Sequence, residues 1–210
     1  MARDLNAKCR QCRRAGEKLF LKGERCASPK CGMVRKNYAP GMHGKKMTRG
    51  LSEYGRQLAM KQTIKRIYGV LEKQFKKHFE EAGKKHGVTG ELLMVRLETR
   101  LDNVVYRMGL GTSRNSSRQL VNHGLISVNG KKVSIPSYEV KPGDVVGVKE
   151  NKKEKTYFKE ITKVLKGGKS TCSWIHMDAA KMEGKILSLP EKGDVDSNVD
   201  PQLVVEYYSR

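Results

Sequence analysis

Apolar residues return at helical steps over two long stretches of this chain. Met60, Ile64, Ile67, Leu71 and Phe75 step by four, three, four and four, and Phe79 and Ala82 continue the stripe. Ser52 with Glu53 opens that pattern, Gly69 is placed to divide it into two helices, and Gly87-Val88-Thr89-Gly90 breaks it. A second stripe joins Leu93, Leu97, Leu101, Val104 and Met108, starting from a helix that Thr89 is placed to cap; Gly109 and Gly111 end it. Thr112 or Ser113 can N-cap a further helix, from about Arg114 to His123, with Gly124 at the left-handed position that closes helices. The rhythm then shortens. Ile126 and Val128, the Asn129-Gly130 pair and Val133 read as a hairpin, because both turn residues accept the positive φ of a type I′ turn. Pro142-Gly143-Asp144 makes another turn before a strand from Val145 to Lys149.

Beyond Glu150 an amphipathic helix is expected, with Phe158, Ile161 and Leu165 on one stripe. Trp174, Ile175, Met177, Ile186, Leu187 and Leu189 are expected to form a last patch of core, and Leu203-Val204-Val205 reads as a short terminal strand. Cys172 has the character of a buried thiol. The stretch from Arg35 to Gly50 carries Pro40, Gly41, Gly44 and Gly50 and predicts an extended basic arm.

Composition adds charge to this picture. The 210 residues are only 37% hydrophobic and carry a net charge of +21. That much positive charge repels itself unless a polyanion is near, and nucleic acid is the usual one. No run of about 18 apolar residues exists to span a bilayer, and the N-terminus lacks the apolar stretch of a signal peptide. A cytosolic protein with reduced or metal-bound cysteines is expected. The first fifty residues hold 14 Lys and Arg against 3 Asp and Glu, so the contact is expected to begin there. The lysine-bearing face at Lys61, Lys65, Arg66, Lys73, Lys76 and Lys77 is expected to point outward, toward RNA.

Cys9 and Cys12, then thirteen residues, then Cys26 and Cys31 form a four-thiolate constellation. Two close pairs separated by a loop can place four sulfurs around Zn²⁺. The intervening segment has only Leu19, Phe20 and Leu21 to bury, so a metal is the expected staple. An iron–sulfur cluster suits four cysteines as well, and spacing leaves both open. Four thiolates give a metal no open position, which argues against a catalytic zinc. Lys8, Arg10, Arg13, Arg14, Arg25 and Lys30 surround the set, leaving a positive knob suited to RNA backbone. His43 is expected to be a loop side chain near phosphate or solvent rather than a further ligand.

The run Arg100-Leu101-Asp102, Ser113-Arg114, Ser117-Arg118-Gln119-Leu120-Val121, His123-Gly124, Val128-Asn129-Gly130 and Pro142-Gly143-Asp144 resembles the S-four RNA-binding module. Arg114 and Arg118, four apart, share a helix face among serines 113, 116 and 117, a pattern that suits phosphate near a helix N-terminus. With CRQCRRAGEKLFLKGERC, YAPGMHG, LSEYGRQLAMKQTIKRIYGVLEKQFKKHFEEA and LVVEYYSR added, nearly the whole chain resembles the small-subunit ribosomal S-four family, in its bacterial four-cysteine class. The match is least clear over residues 151–197.

This resemblance implies an α+β protein. It would have a mostly helical body, an inserted S-four module of two helices plus a small β-sheet, and an N-terminal metal-stapled basic arm. The expected divisions are residues 1–45 for the arm, 46–97 completed by 175–210 for the helical domain, and 98–174 for the module and the helix after it. The resemblance also implies binding to small-subunit rRNA at a five-way junction early in assembly, and a part in translational accuracy. It implies ribosomal protein S-five as a neighbour and mRNA near where it enters the subunit, with no membrane and no small-molecule substrate. Candidate RNA contacts are Arg3, Arg10, Arg13, Arg14, Lys22, Arg35, Lys36, His43, Lys45, Lys46, Arg49, Arg56, Lys61, Arg66, Ser113, Arg114, Ser117, Arg118 and His123.

Two other functions compete. Pseudouridine synthases carry an appended S-four module and use an aspartate near an arginine, which Arg100-Leu101-Asp102 superficially offers. Here Asp102 falls within the apolar stripe, and the 60 residues after Glu150 are short for a catalytic domain. No Ser–His–Asp pattern, P-loop or paired-carboxylate site is present, so no enzyme is expected. The other competitor is a stress-induced RNA binder acting outside the ribosome.

Overall fold

The computed structural model describes residues 4–46, 50–167, 172–195 and 199–210. The chain divides into two compact units, Met1–Met94 with Ser197–Arg210, and Val95–Asp196.

The helical unit begins with three short helices, α1 (Lys8–Ala15), α2 (Glu24–Ala27) and α3 (Gly32–Arg35). Leu19, Leu21 and Met33 are their small apolar centre, buried together with Cys12, Cys26 and Cys31. Next come α4 (Glu53–Ile67) and α5 (Glu72–Gly83). The Ser52 hydroxyl caps α4 by accepting from the Gly55 amide. Gly69, at φ +63°, separates the two helices as its position in the stripe predicts. Helix α6 (Thr89–Glu98) starts at Thr89.

The expected strand at 203–205 is instead part of a helix, α10 (Pro201–Tyr208). The Asp200 carboxylate accepts from the Gln202 amide and Pro201 occupies the first turn, where its missing N–H costs nothing. This helix packs on α4. Val204 is fully buried, and the Tyr208 ring stacks on Phe79 with centroids 4.6 Å apart. Gln57 of α4 donates to Glu206 at 3.0 Å.

In the other unit the second stripe is broken. Helix α7 (Leu101–Arg107) starts afresh after Arg100, which is extended at φ −65° and ψ 136° and bridges Glu139. The reason lies in the loop beyond the hairpin. Its carbonyls at Tyr138 and Pro136 accept from the amides of Leu101 and Asp102, and Val140 donates to Thr99. These contacts satisfy groups that a helix start leaves open. Helix α8 (Arg114–Asn122) is capped by Ser113, whose hydroxyl accepts from the Ser116 amide.

Strands β1 (Ile126–Val128) and β2 (Lys131–Lys132) form the hairpin. Asn129 and Gly130 both take positive φ, +51° and +76°, as the I′ reading requires. Strand β3 (Val145–Val148) pairs with β1. Helix α9 (Thr156–Gly167) follows, with Phe158 fully buried.

The sheet does not stop at three strands. Strands β4 (Ile175–Asp178) and β5 (Glu183–Ile186) pair with each other, and β5 adds to β3, giving the antiparallel order β2-β1-β3-β5-β4. Residues 175–186 therefore complete the sheet rather than the helical unit as expected, because β3 offers a second edge that β5 fills. Trp174, Ile175 and Ile186 join Leu101, Val104, Val121 and Val146 in one core, with Cys172 buried among them.

Candidate nucleic-acid interface and thiol site

The candidate contacts fall into three groups once placed. Arg10, Arg14, Lys22, Arg35, Lys36, His43, Lys45, Lys46 and Arg56 of the helical unit and His123 of the sheet unit are exposed. Arg13, Arg66 and Arg114 are half-buried, and Lys61, Ser113, Ser117 and Arg118 are buried. Arg3 and Arg49 lie outside the described residues.

Lys61 corrects the expectation of an open cationic face on α4, while Lys73, Lys76 and Lys77 of α5 are exposed as expected. Lys61 retains 4% exposure, with its ammonium 2.7 Å from Glu72 and 4.4 Å from the Tyr207 ring centre. Lys65 holds the other Glu72 oxygen at 3.0 Å, and the Tyr208 hydroxyl donates to Glu72 at 3.0 Å. Burial alone would raise the Glu72 carboxyl. The hydrogen bonds from Lys61, Lys65 and Tyr208 outweigh it and bring the group down to about 2. Burial and the Glu72 charge push the Tyr208 phenol up.

Arg118 is similarly committed. Asp102, 4% exposed, accepts from Arg100 at 3.1 and 2.8 Å and from Arg118 at 3.0 Å. An aspartate held by two buried guanidiniums is a structural anchor, which removes the main residue argument for a modifying enzyme. Beside it a second network forms. Glu98 is fully buried and receives Arg107 at 3.0 and 2.7 Å and Asn103 at 2.6 Å. Asn103 in turn accepts from Arg114 at 2.8 Å, and the Arg114 guanidinium lies 4.7 Å from the Tyr106 ring centre. Sequence reading missed Asn103, Tyr106 and Glu98 as the residues that orient Arg114. The three-residue step from Asn103 to Tyr106, one face of α7, was the available signal. Ser117 is sealed against Gly111 and is not available to a ligand.

The four cysteines of the arm come to one place. Cys9, Cys12, Cys26 and Cys31 line a single cavity with Lys8, Lys22, Arg25 and Gly32. Cys9 is half-buried and the other three are buried. The Lys22 amide donates to the Cys26 sulfur at 3.3 Å. Burial pushes the Cys12 thiol up, opposed by a backbone donor at Leu19, and Cys26, Cys9 and Cys31 add to the rise. Among the described residues no three His, Cys, Asp or Glu side chains are grouped as a set that could hold a metal ion. Nor is any described helix long and apolar enough to cross a membrane.

Two short helices lead into a small antiparallel sheet, and residues 99–146, which span them, match the family described as "S4 domain", which places the protein in the S4-domain class. Residues 3–98 match the "Ribosomal protein S4/S9 N-terminal domain". The relatives extend the match to the full length. A "Small ribosomal subunit protein uS4" from Ruminiclostridium cellulolyticum is 53% identical over 210 residues, covering 100% of both chains. Proteins of the same name from Acetivibrio thermocellus and Thermus thermophilus are 52% and 50% identical, again over 100% of both chains. The chain belongs to the ribosomal protein S4 family.

Proposed function

We propose that this protein is a structural, non-catalytic component of the small ribosomal subunit in the cytoplasm. It binds small-subunit rRNA early in assembly and contributes to translational accuracy. The observation that carries this reading is the exposed cationic surface of Arg10, Arg14, Lys22, Arg35, Lys36, Lys45 and Lys46 on a folded unit of a chain with net charge +21. Exposed cations repeated along one folded segment suit a phosphate backbone better than a small substrate. The site on the RNA is the five-way junction, with ribosomal protein S-five as a neighbour and mRNA nearby where it enters the subunit.

The chain is of the four-cysteine class, and its arm is stapled by zinc. Four sulfur donors lining one cavity, with an amide donating to one of them, suit a structural Zn²⁺ by donor type, although as placed they are not drawn together as a metal-holding set and would have to close on the ion. Cys9, Cys12, Cys26 and Cys31 would hold the metal, which supplies cross-linking to a segment with little core of its own. The same donors suit an iron–sulfur cluster, and elemental analysis of the purified protein separates the two.

Chemical footprinting of the purified protein on naked small-subunit rRNA tests the reading. Protection confined to one multi-helix junction is expected. Protection spread evenly along the RNA, or sedimentation away from small subunits after a high-salt wash, would favour an RNA binder acting outside the ribosome.

A further inference from the structure

Arg13 has the composition of a phosphate contact and the geometry of something else. Its Nε donates to the Tyr38 carbonyl at 2.9 Å and its Nη2 to the Ala39 carbonyl at 3.1 Å. The guanidinium also lies 4.8 Å from the Tyr38 ring centre, and the Lys45 ammonium is 5.5 Å from that same centre. One arginine on α1 thus grips a loop 25 residues further along by two carbonyls and an aromatic ring. The planar fork of arginine serves two acceptors in this way, and a lysine ammonium does not reproduce it.

The gripped segment carries several of the exposed basic residues. Lys36, His43, Lys45 and Lys46 are all exposed on it. Among the described residues its backbone bonds are Gly44 to Gly41 at 3.3 Å and Lys46 to His43 at 3.0 Å, with the Lys36 amide tied back to Gly32 of α3 at 3.1 Å. The loop also closes on itself at Gly44. A Cβ there would overlap the Ala39 carbonyl oxygen, the acceptor that Arg13 holds. Arg13, Tyr38, Ala39 and Gly44 are therefore one knot, and Lys45 leaves from it.

We infer that Arg13 is a positioning residue for RNA binding. It fixes the loop beyond Lys36 so that Lys45 and Lys46 meet a nucleic-acid backbone as a preformed pair, and it does not itself contact phosphate. Holding the loop in place before binding removes the ordering cost that a free loop would incur on contact. This inference rests on the rRNA-binding reading given above for its consequence, while the knot itself can be measured without RNA.

The test uses the full chain as purified and compares Arg13→Lys, Arg13→Gln and Gly44→Ala with the wild type. In the free protein, trypsin cleavage after Lys45 and Lys46 is expected to speed up several-fold in all three variants. Affinity for full-length small-subunit rRNA is expected to fall several-fold in Arg13→Lys although the charge is unchanged, with Gly44→Ala behaving alike. Adding Lys45→Ala to Arg13→Lys is expected to cost much less than adding it to the wild type, because both changes act through one loop. A global loss of stability would leave the two effects additive. Full affinity and full protease resistance in Arg13→Lys, with loss only in Arg13→Gln, would overturn the inference and make Arg13 a direct contact. Wild-type protein that fails to bind the rRNA would overturn the functional reading, and Arg13's part in it. The protease comparison would then still report the knot.

Discussion

The Lys61 ammonium lies 2.7 Å from a carboxylate oxygen of Glu72, eleven residues further on, and faces the ring of Tyr207. This pairing joins α4, α5 and α10 through charge, where a run of lysines on a helix suggested only an outward face. Replacing Lys61 with Ala removes the ion pair and the ring interactions together. The helical unit is expected to lose about 1–3 kcal/mol, read by urea denaturation, with rRNA affinity affected only as far as the fold is. Weaker binding in a variant of unchanged stability would return Lys61 to the RNA surface.

Glu72 also sets an acid limit. Its folded-state value of about 2 is below the ordinary 4.5, so its stabilisation is present in full above 4.5. That contribution is lost as pH falls from about 4.5 toward about 2. Thermal melts across this window are expected to show a decline that Glu72→Gln flattens, from a lower starting stability. Parallel curves for the two proteins would assign the decline to other carboxylates. Because the Glu72 side chain is 47% exposed, solvent screening keeps the effect modest.

Asp102 and its two guanidiniums predict an asymmetry. Asp102→Ala removes the buried carboxylate that Arg100 and Arg118 share and is expected to cost about 3–5 kcal/mol. Arg118→Ala leaves Asp102 still paired with Arg100 and is expected to cost about 1–3 kcal/mol. Denaturation of the full chain gives both values. Equal costs would mean that the three groups do not act as one network.

What could be read from the sequence was local. Ser52 as a cap, Gly69 as a divider and Asn129-Gly130 as a turn each depend on neighbouring backbone, and each is found where expected. What could not be read depends on partners far along the chain. Leu203-Val204-Val205 carries a β-type composition, yet the Asp200-Pro201 start and the face of α4 make it helical. Strand β5 finds its place on β3 only after a helix and β4 have intervened. Arg118 looks exposed on its own helix and is buried because Asp102, sixteen residues earlier, comes to meet it. The four cysteines were legible as a cluster, and they do line one cavity.

Metal removal tests that cluster. On the proposal that zinc staples the arm, Cys26→Ser, or dialysis against a strong chelator, is expected to release the metal and loosen the first forty residues while the sheet unit keeps its fold. Elemental analysis with hydrogen exchange on the two units measures both. Purified protein free of zinc and iron, with an arm still protected from exchange, would mean the cavity needs no staple.

The exposed cations predict a salt signature. Changing Arg10, Arg14 and Lys22 to Gln is expected to flatten the slope of log affinity against log salt. The change should be about 0.7–0.9 for each phosphate that the variant no longer neutralises. The footprint should shrink at one edge and stay at the same junction. An unchanged slope would show that these side chains meet solvent only.

Helix α10 gives the chain an order of maturation. The helical unit is interrupted in sequence: its α4 binding face waits for Val204, Tyr207 and Tyr208, which are synthesised after the whole of the sheet unit. During translation the sheet unit, being continuous, is free to close first. The aromatic flank at Tyr54, Phe75 and Phe79 stays uncovered until α10 arrives. A nascent chain halted before residue 201 would lack the helix that packs on α4. Translation through α10 is what completes the helical unit.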